Sequence, residues 1–244
     1  MQNFRFWLYF HKSFFIGFFL FSLTCMAAPD PNLDLSLTPI QTKEDILTKL
    51  EKIDLGIKKT DSLKDIFSKL ESYVASYIPD PKYPDDKFAL ATLNECIKAT
   101  KENDFCIGAA IVDENGNVLL SAHNTQRSQN RSDYHGEMTL LNKFETDPSF
   151  LKYRHGLTYS KKLTVYSSAE PCPMCTIRLA IVGVKSKYVA SSSDDGMTSR
   201  IHQLPDFWRK MCEKAPCEKA KCSPILSSIA HLYFYTAFLN NHSN

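Results

Sequence analysis

Cys172 and Cys175 follow His135 by 37 and 40 residues, and any fold of this chain has to bring the three side chains together. The two cysteines stand at i and i+3 in "EPCPMC", directly behind Pro171. If a helix opens there, both thiols share a face, and the unpaired N–H groups and dipole at that end favour thiolate over thiol. Taken alone, the pair also suits a redox disulfide or two small buried apolar side chains. The upstream "HGE" at residues 135–137, again at the head of a helical pattern, decides for a metal. His135, Cys172 and Cys175 supply three ligands, and Glu137 is a carboxylate left off the metal. A structural zinc site is closed by four protein ligands, whereas three leave a position for water, whose pKa zinc lowers to roughly 7. The expected cofactor is therefore Zn2+, with Glu137 as the catalytic acid and base.

Periodicity outlines the scaffold. Ile46, Leu47, Leu50 and Ile53, then Leu63, Ile66, Phe67, Leu70, Tyr73, Val74 and Tyr77, recur at helical spacing and predict two amphipathic helices. Ser62 and Asp65 suit a capping box on the second, and the pair reads as packing material for a neighbouring surface. Pro79, Pro81 and Pro84 put a boundary near residue 83, giving an N-terminal segment at 1–27, a helical extension at 28–83 and a domain at 84–244. Within the domain, "DKFALATLNECIKATKEN" reads as a helix. "CIGAAIVD" and "VLLSAHN" read as strands joined through Asn115-Gly116, a pair suited to a type I′ turn. "GEMTLLNKFE" and "CTIRLAIVGV" read as helices, and "KLTVYSSA" and "SKYVAS" as strands. This alternation argues for an α/β layered domain. The tail reads as two helices around a cysteine-containing loop, with no clear fifth strand.

Arg5 and Lys12 precede the apolar run "FFIGFFLFSLTCMAA". The run is shorter than the roughly 20 residues that cross a bilayer, and Cys25 and Ala27 are small residues at −3 and −1 of a cut after Ala27. Residues 1–27 thus read as a secretory signal peptide and the protein as exported, to a periplasm or beyond the cell. Contact with a membrane follows only if the segment stays uncleaved. Cleavage removes two of the 29 basic residues and none of the 27 acidic ones, which leaves the charges balanced. Without a basic surface, nucleic acid is not the expected partner. Five cysteines remain besides Cys172 and Cys175, namely Cys96, Cys106, Cys212, Cys217 and Cys222. In an oxidising compartment the close spacing of the last three predicts a local disulfide in the tail.

His135, Glu137, Pro171, Cys172 and Cys175, with the hairpin "GAAIVDENGNVLLSAHN", resemble the cytidine, nucleobase and tRNA-adenosine deaminase superfamily over roughly residues 84 to 195. The resemblance implies a cytidine deaminase-like fold, a three-layer α-β-α sandwich around a mixed sheet, here with an N-terminal helical extension. It implies hydrolytic deamination of a free nucleobase or nucleoside with release of ammonia. It also implies that Asn124, eleven residues before His135, contacts substrate, although Asn at a strand end equally starts a turn. Asp194 and Asp195 fall where the family often places a pocket-facing polar loop, and Asp-Asp-Gly is equally an ordinary turn. Phe105 could line the pocket against a flat base or belong to the core. His123, His155, His202 and His231 lack partner spacing and read as surface or satisfied core residues. "HGE" is similar to fungal-type cytosine deaminase and "EPCPMC" to bacterial guanine deaminase, which favours cytosine or guanine over adenosine. An insertion, "TDPSFLKYRHGLTYSKK", would change the pocket rim. Two alternatives stay open, a tRNA or nucleoside adenosine deaminase and a non-catalytic, secreted zinc-binding interaction protein of the same fold. A homodimer is an open option.

Overall fold

The computed structural model describes residues 40, 42–50, 55–192 and 195–242, so the segment 1–27 expected to be a signal peptide, Ile53 and Asp194 lie outside the described residues. Strands β1 (Gly108–Val112), β2 (Val118–His123), β5 (Thr164–Ala169), β6 (Lys185–Ala190) and β7 (Cys217–Lys219) form one mixed sheet in the order β2-β1-β5-β6-β7. β1 is antiparallel to β2 and β5, while β5, β6 and β7 run parallel. The short pair β3 (Arg154–His155) and β4 (Thr158–Tyr159) stands apart from this sheet.

Strand alternation divides the core into two faces. Ala109, Ile111 and Val165 pack on Leu140, Leu141 and Phe144 of helix α4 (Gly136–Thr146) and on Leu179 and Val182 of α5 (Pro173–Val182). Val112 and Tyr166 point the other way, to Phe88 of α3 (Asp86–Lys101). On that second face Leu93 and Ile97 of α3 and Val189 of β6 share a cluster with Ile229, Leu232 and Tyr233 of α7 (Pro224–His242). The same cluster takes in Ile46 and Leu50 of α1 (Lys43–Leu50) and Ile66, Leu70 and Val74 of α2 (Leu63–Ser76). The three-layer arrangement around a mixed sheet is thus present, with α1 and α2 covering α7 from outside. The capping box at Ser62 and Asp65 is formed in full. α6 (Asp206–Lys214) packs against α5.

Four expectations need correction. The hairpin turn is not type I′. Gly116 alone has positive φ, at 78°, Gly116 N–H donates to Asp113 O, and the Asp113 carboxylate accepts from Asn115 and Asn117 N–H. Asp113 captures the turn's amides, which selects a right-handed turn closed by a left-handed Gly. A fifth strand exists in the tail, β7, whose three residues "CEK" are too few to show alternation. No disulfide joins the tail cysteines, and Cys96 and Cys106 are bonded instead, with an S–S distance of 2.01 Å. Cys212 is buried on α6, Cys217 meets Ser186 and Thr198, and Cys222 lies against the Phe88–Tyr166 cluster, so the three thiols face different surroundings.

The insertion, finally, does not reach the ligand end of the domain. It joins the C-terminus of α4 to the start of β5, with a 3-10 turn at Pro148–Tyr153 followed by β3 and β4. Phe150 stacks on Phe144 at 4.6 Å, and the Tyr159 hydroxyl donates to Glu145 at 3.1 Å. The chain enters α4 and leaves β5 at the opposite end.

Candidate metal and catalytic centre

His135 is the N-cap of α4 and Cys172 the N-cap of α5, both with extended backbone, and neither side chain is spent on capping. Imidazole and thiol therefore project from the two helix ends. Cys175, one turn into α5, is buried beside them. The donor atoms of His135, Cys172 and Cys175 all lie within 4.8 Å of one another, and Cys172 Sγ is 3.5 Å from His135 Nδ1. The middle residue of "HGE" has a packing reason. A Cβ on Gly136 would lie 2.8 Å from the Ile107 carbonyl oxygen, so glycine lets the start of α4 sit directly on the chain entering β1.

The electrostatics separate the two thiols. A hydrogen bond from Cys175 is the largest influence on Cys172; it outweighs burial, is joined by His135, and brings the Cys172 thiol down to about 4. Cys175 is pushed up by the same bond and by burial. Burial works against the charged form of His135, but the Cys172 thiolate and the Glu137 and Asp195 carboxylates raise its pKa overall. Glu137 is 3% exposed, and burial, then Cys172, holds its carboxyl above the usual range. Its Oε1 accepts the Ser167 hydroxyl at 2.9 Å and its Oε2 the Cys175 thiol at 3.4 Å. One imidazole and two sulfurs, one of them a thiolate at neutral pH, form a donor set that fits zinc.

Of the other predicted residues, Asp195 is near enough to His135 for its carboxylate to raise that imidazole's pKa, and Asn124 and Phe105 are held as follows. Asn124 is buried at the end of β2, its N–H bonded to Ile107 O, and its carboxamide is engaged with its own turn. Oδ1 accepts Gln126 N–H at 3.0 Å, and Nδ2 donates to Gln126 Oε1 at 2.8 Å. Phe105 is half-buried under the Arg127 guanidinium, 4.4 Å from its ring, in a cleft completed by Asp104, Cys106, Phe234, Ala237 and Phe238, none of them in the ligand trio. His123 is a satisfied buried histidine, as expected. Sequence reasoning missed Ser167, which reaches Glu137, and Glu170, whose carboxylate accepts the Ser192 and Thr198 N–H groups. A signal for Ser167 was present: two serines fall near the end of an apolar strand, four and three positions before Pro171, and Ser167 shares the face of Val165.

Residues 83–191 match the cytidine and deoxycytidylate deaminase zinc-binding region. The chain is 32% identical over 102 residues to a cytosine deaminase of Candida albicans, spanning 41% of this chain and 63% of that protein. It is 31% identical over 91 residues to a tRNA-specific adenosine deaminase of Bacillus subtilis, covering 37% and 52%. A probable cytosine deaminase of Schizosaccharomyces pombe is 30% identical over 125 residues, which are 49% of this chain and 71% of that protein.

The chain belongs to the cytidine deaminase-like superfamily.

The deaminase-like chain spans between about half and two thirds of the first two of these relatives. Among solved structures, a guanine deaminase from Nitrosomonas europaea aligns over 68% of this deaminase-like chain and 91% of its own, at 17% identity and a TM-score of 0.48.

Proposed function

We propose that the chain is a zinc-dependent hydrolytic deaminase of a free nucleobase or nucleoside, of the cytosine or guanine type, that works after export. The observation that carries this reading is a buried carboxylate, Glu137, set beside three converging metal donors and bonded to a neutral hydroxyl. A purely structural metal site has no use for such a group. His135, Cys172 and Cys175 would hold the zinc, which when bound supplies a water acidic enough to react near neutral pH.

The protein's own part falls to Glu137. Ser167 occupies Oε1 and fixes the carboxylate plane, while Oε2 faces Cys175. A thiol that loses its proton to solvent on binding a metal no longer donates, which would leave Oε2 to take and release protons. Glu137 takes a proton there from the attacking water and delivers it to the ring nitrogen as the C–O bond forms; it then takes the proton of the new hydroxyl and passes it to the amine, which leaves as ammonia as the C–N bond breaks. Burial raises the pKa of this carboxyl, which suits a group that must both take and give a proton.

The similarity to two fungal proteins named cytosine deaminase supports the base type. The balanced charge supports a small substrate, as does the pairing of Arg209 with Asp206 and Glu213 in the most basic stretch. Export is supported by the residue pattern before Ala28 and by the Cys96–Cys106 disulfide, a bond that reducing compartments do not keep.

The test is Glu137→Ala, assayed by ammonia release from cytosine, guanine, adenine and their nucleosides and by metal content. The variant is expected to keep one zinc per chain and to lose activity by about 10²- to 10⁴-fold. A wild type inactive on the whole panel, or one that turns over only a tRNA stem-loop with affinity falling steeply as salt rises, would overturn the proposal.

A further inference from the structure

Glu170, the first residue of "EPCPMC", is 8% exposed, and both of its carboxylate oxygens accept backbone N–H groups from the chain beyond β6. Oε2 accepts from Ser192 at 3.1 Å and Oε1 from Thr198 at 2.9 Å. Gly196 is pressed against the same side chain: a Cβ there would lie 2.4 Å from Glu170 Cδ and 2.5 Å from Ser192 O. The next residue, Met197, is buried and donates its N–H to Pro171 O at 3.1 Å. Glu170 N–H in turn donates to Ala190 O at 2.8 Å, at the end of β6. The turn that delivers Cys172 is therefore fastened to the chain beyond β6 on both sides of the carboxylate.

We propose that Glu170 is a positioning residue that locks the chain at Ser192 and at Thr198 onto the turn carrying Cys172, so that one side chain sets the place of that chain and of a ligand together. The proposal rests on the deaminase reading for its kinetic consequence and on geometry alone for its structural one. A charged acceptor is suited to the task, because its hydrogen bonds are roughly twice as strong as neutral ones and two part-buried amides are satisfied at once. An amide in its place would keep one acceptor and turn an NH₂ group toward a backbone N–H. Loss of the lock would let that chain move relative to the ligands, and on the deaminase reading this weakens substrate binding before it affects proton transfer at Glu137.

The variants are Glu170→Gln, Glu170→Ala and Gly196→Ala, the last displacing the segment without removing the charge. Amide hydrogen exchange is followed by mass spectrometry on peptides covering residues 191–200. Metal content is measured in parallel, together with steady-state kinetics on cytosine and guanine. All three variants are expected to exchange at least about tenfold faster in that segment and to keep one zinc per chain. KM on the better base is expected to rise about tenfold with kcat within about threefold, a loss the size of one charge-assisted hydrogen bond. Unchanged exchange at residues 191–200 would overturn the proposal. So would a fall in kcat and zinc content at constant KM, which would make Glu170 a support of the metal alone. A wild type that releases no ammonia from any base or nucleoside of the panel would sink the deaminase reading, and the exchange result would then decide on the lock by itself.

Discussion

His123 ends β2 between two carboxylates, with Nδ1 2.8 Å from Glu95 Oε2 and Nε2 3.2 Å from Glu102 Oε2. Glu95 also accepts the Ser121 hydroxyl at 2.9 Å and Lys98 Nζ at 2.6 Å. Burial opposes the charge on Glu95, but His123, then Lys98 and Ser121, bring its pKa down to about 2. Glu95 is the chief cause that raises His123, against burial and with help from Glu102. The signs follow. The contribution of Glu95 is present above its ordinary 4.5 and is lost as pH falls toward about 2. That of His123 is full below 6.5 and is lost as pH rises through its elevated pKa. The stabilisation from this pair is therefore largest between pH 4.5 and 6.5. Urea midpoints of the wild type and His123→Gln should differ most in that window and converge above it; a constant difference up to pH 9 would show that His123 acts by packing alone. Residues of this kind are hard to read from sequence. His135, Glu137, Cys172 and Cys175 were legible because metal chemistry demands fixed residue types at short, fixed spacings. The roles of His123, Ser167 and Glu170 consist of hydrogen bonds to partners 21 to 30 residues away, which nothing in the local pattern announces.

Helix α2 shows the same division one scale up. Its existence, its start and its apolar stripe were all readable, from the capping box and from Ile66, Leu70 and Val74 at helical spacing. Its partner was not: Phe67 meets Tyr233 of α7 with ring centroids 4.2 Å apart, across most of the chain. Leu70 is fully buried in the shared cluster. Leu70→Ala should cost about 2–5 kcal/mol, the usual loss for a buried leucine plus the cavity it leaves. The thermal midpoint should fall accordingly while the metal content stays that of the wild type. A change below about 0.5 kcal/mol, the range of surface substitutions, would mean that α2 adds little to the stability of the core. The elements that escaped the sequence were those with too few residues to show a period, β7 above all, and the hairpin turn, where the Asp113 side chain overrode the preference of Asn115-Gly116.

For the molecule as a whole, the proline-rich boundary near residue 83 is legible as a break, yet the two residues that follow it tie distant regions together. Asp85 accepts the Tyr166 hydroxyl at 2.7 Å, Lys187 Nζ at 2.9 Å and Lys221 N–H at 2.7 Å. Asp86 accepts the Tyr77 hydroxyl at 2.9 Å and Ser223 N–H at 2.6 Å. One dipeptide thus holds the end of α2, the middle of the sheet and the segment entering α7. The opposite case is the β3–β4 pair. α4 has 11 residues, so its length alone puts about 16 Å between His135 and the insertion. The tip of that small hairpin is open on all sides: nothing lies within 4 Å of a Cβ placed on Gly156, and Leu157 is 86% exposed. The molecule therefore has a docking bay for a passenger. A folded reporter domain spliced between Gly156 and Leu157, with both of its ends carried by the Arg154–Tyr159 and His155–Thr158 pairs, lengthens a loop whose closure cost grows only with the logarithm of its length. On the proposed function, such a fusion should match the parent's metal content and keep kcat and KM on the better substrate of the panel within about twofold of the parent, whereas a tenfold loss would place the insertion in contact with catalysis after all.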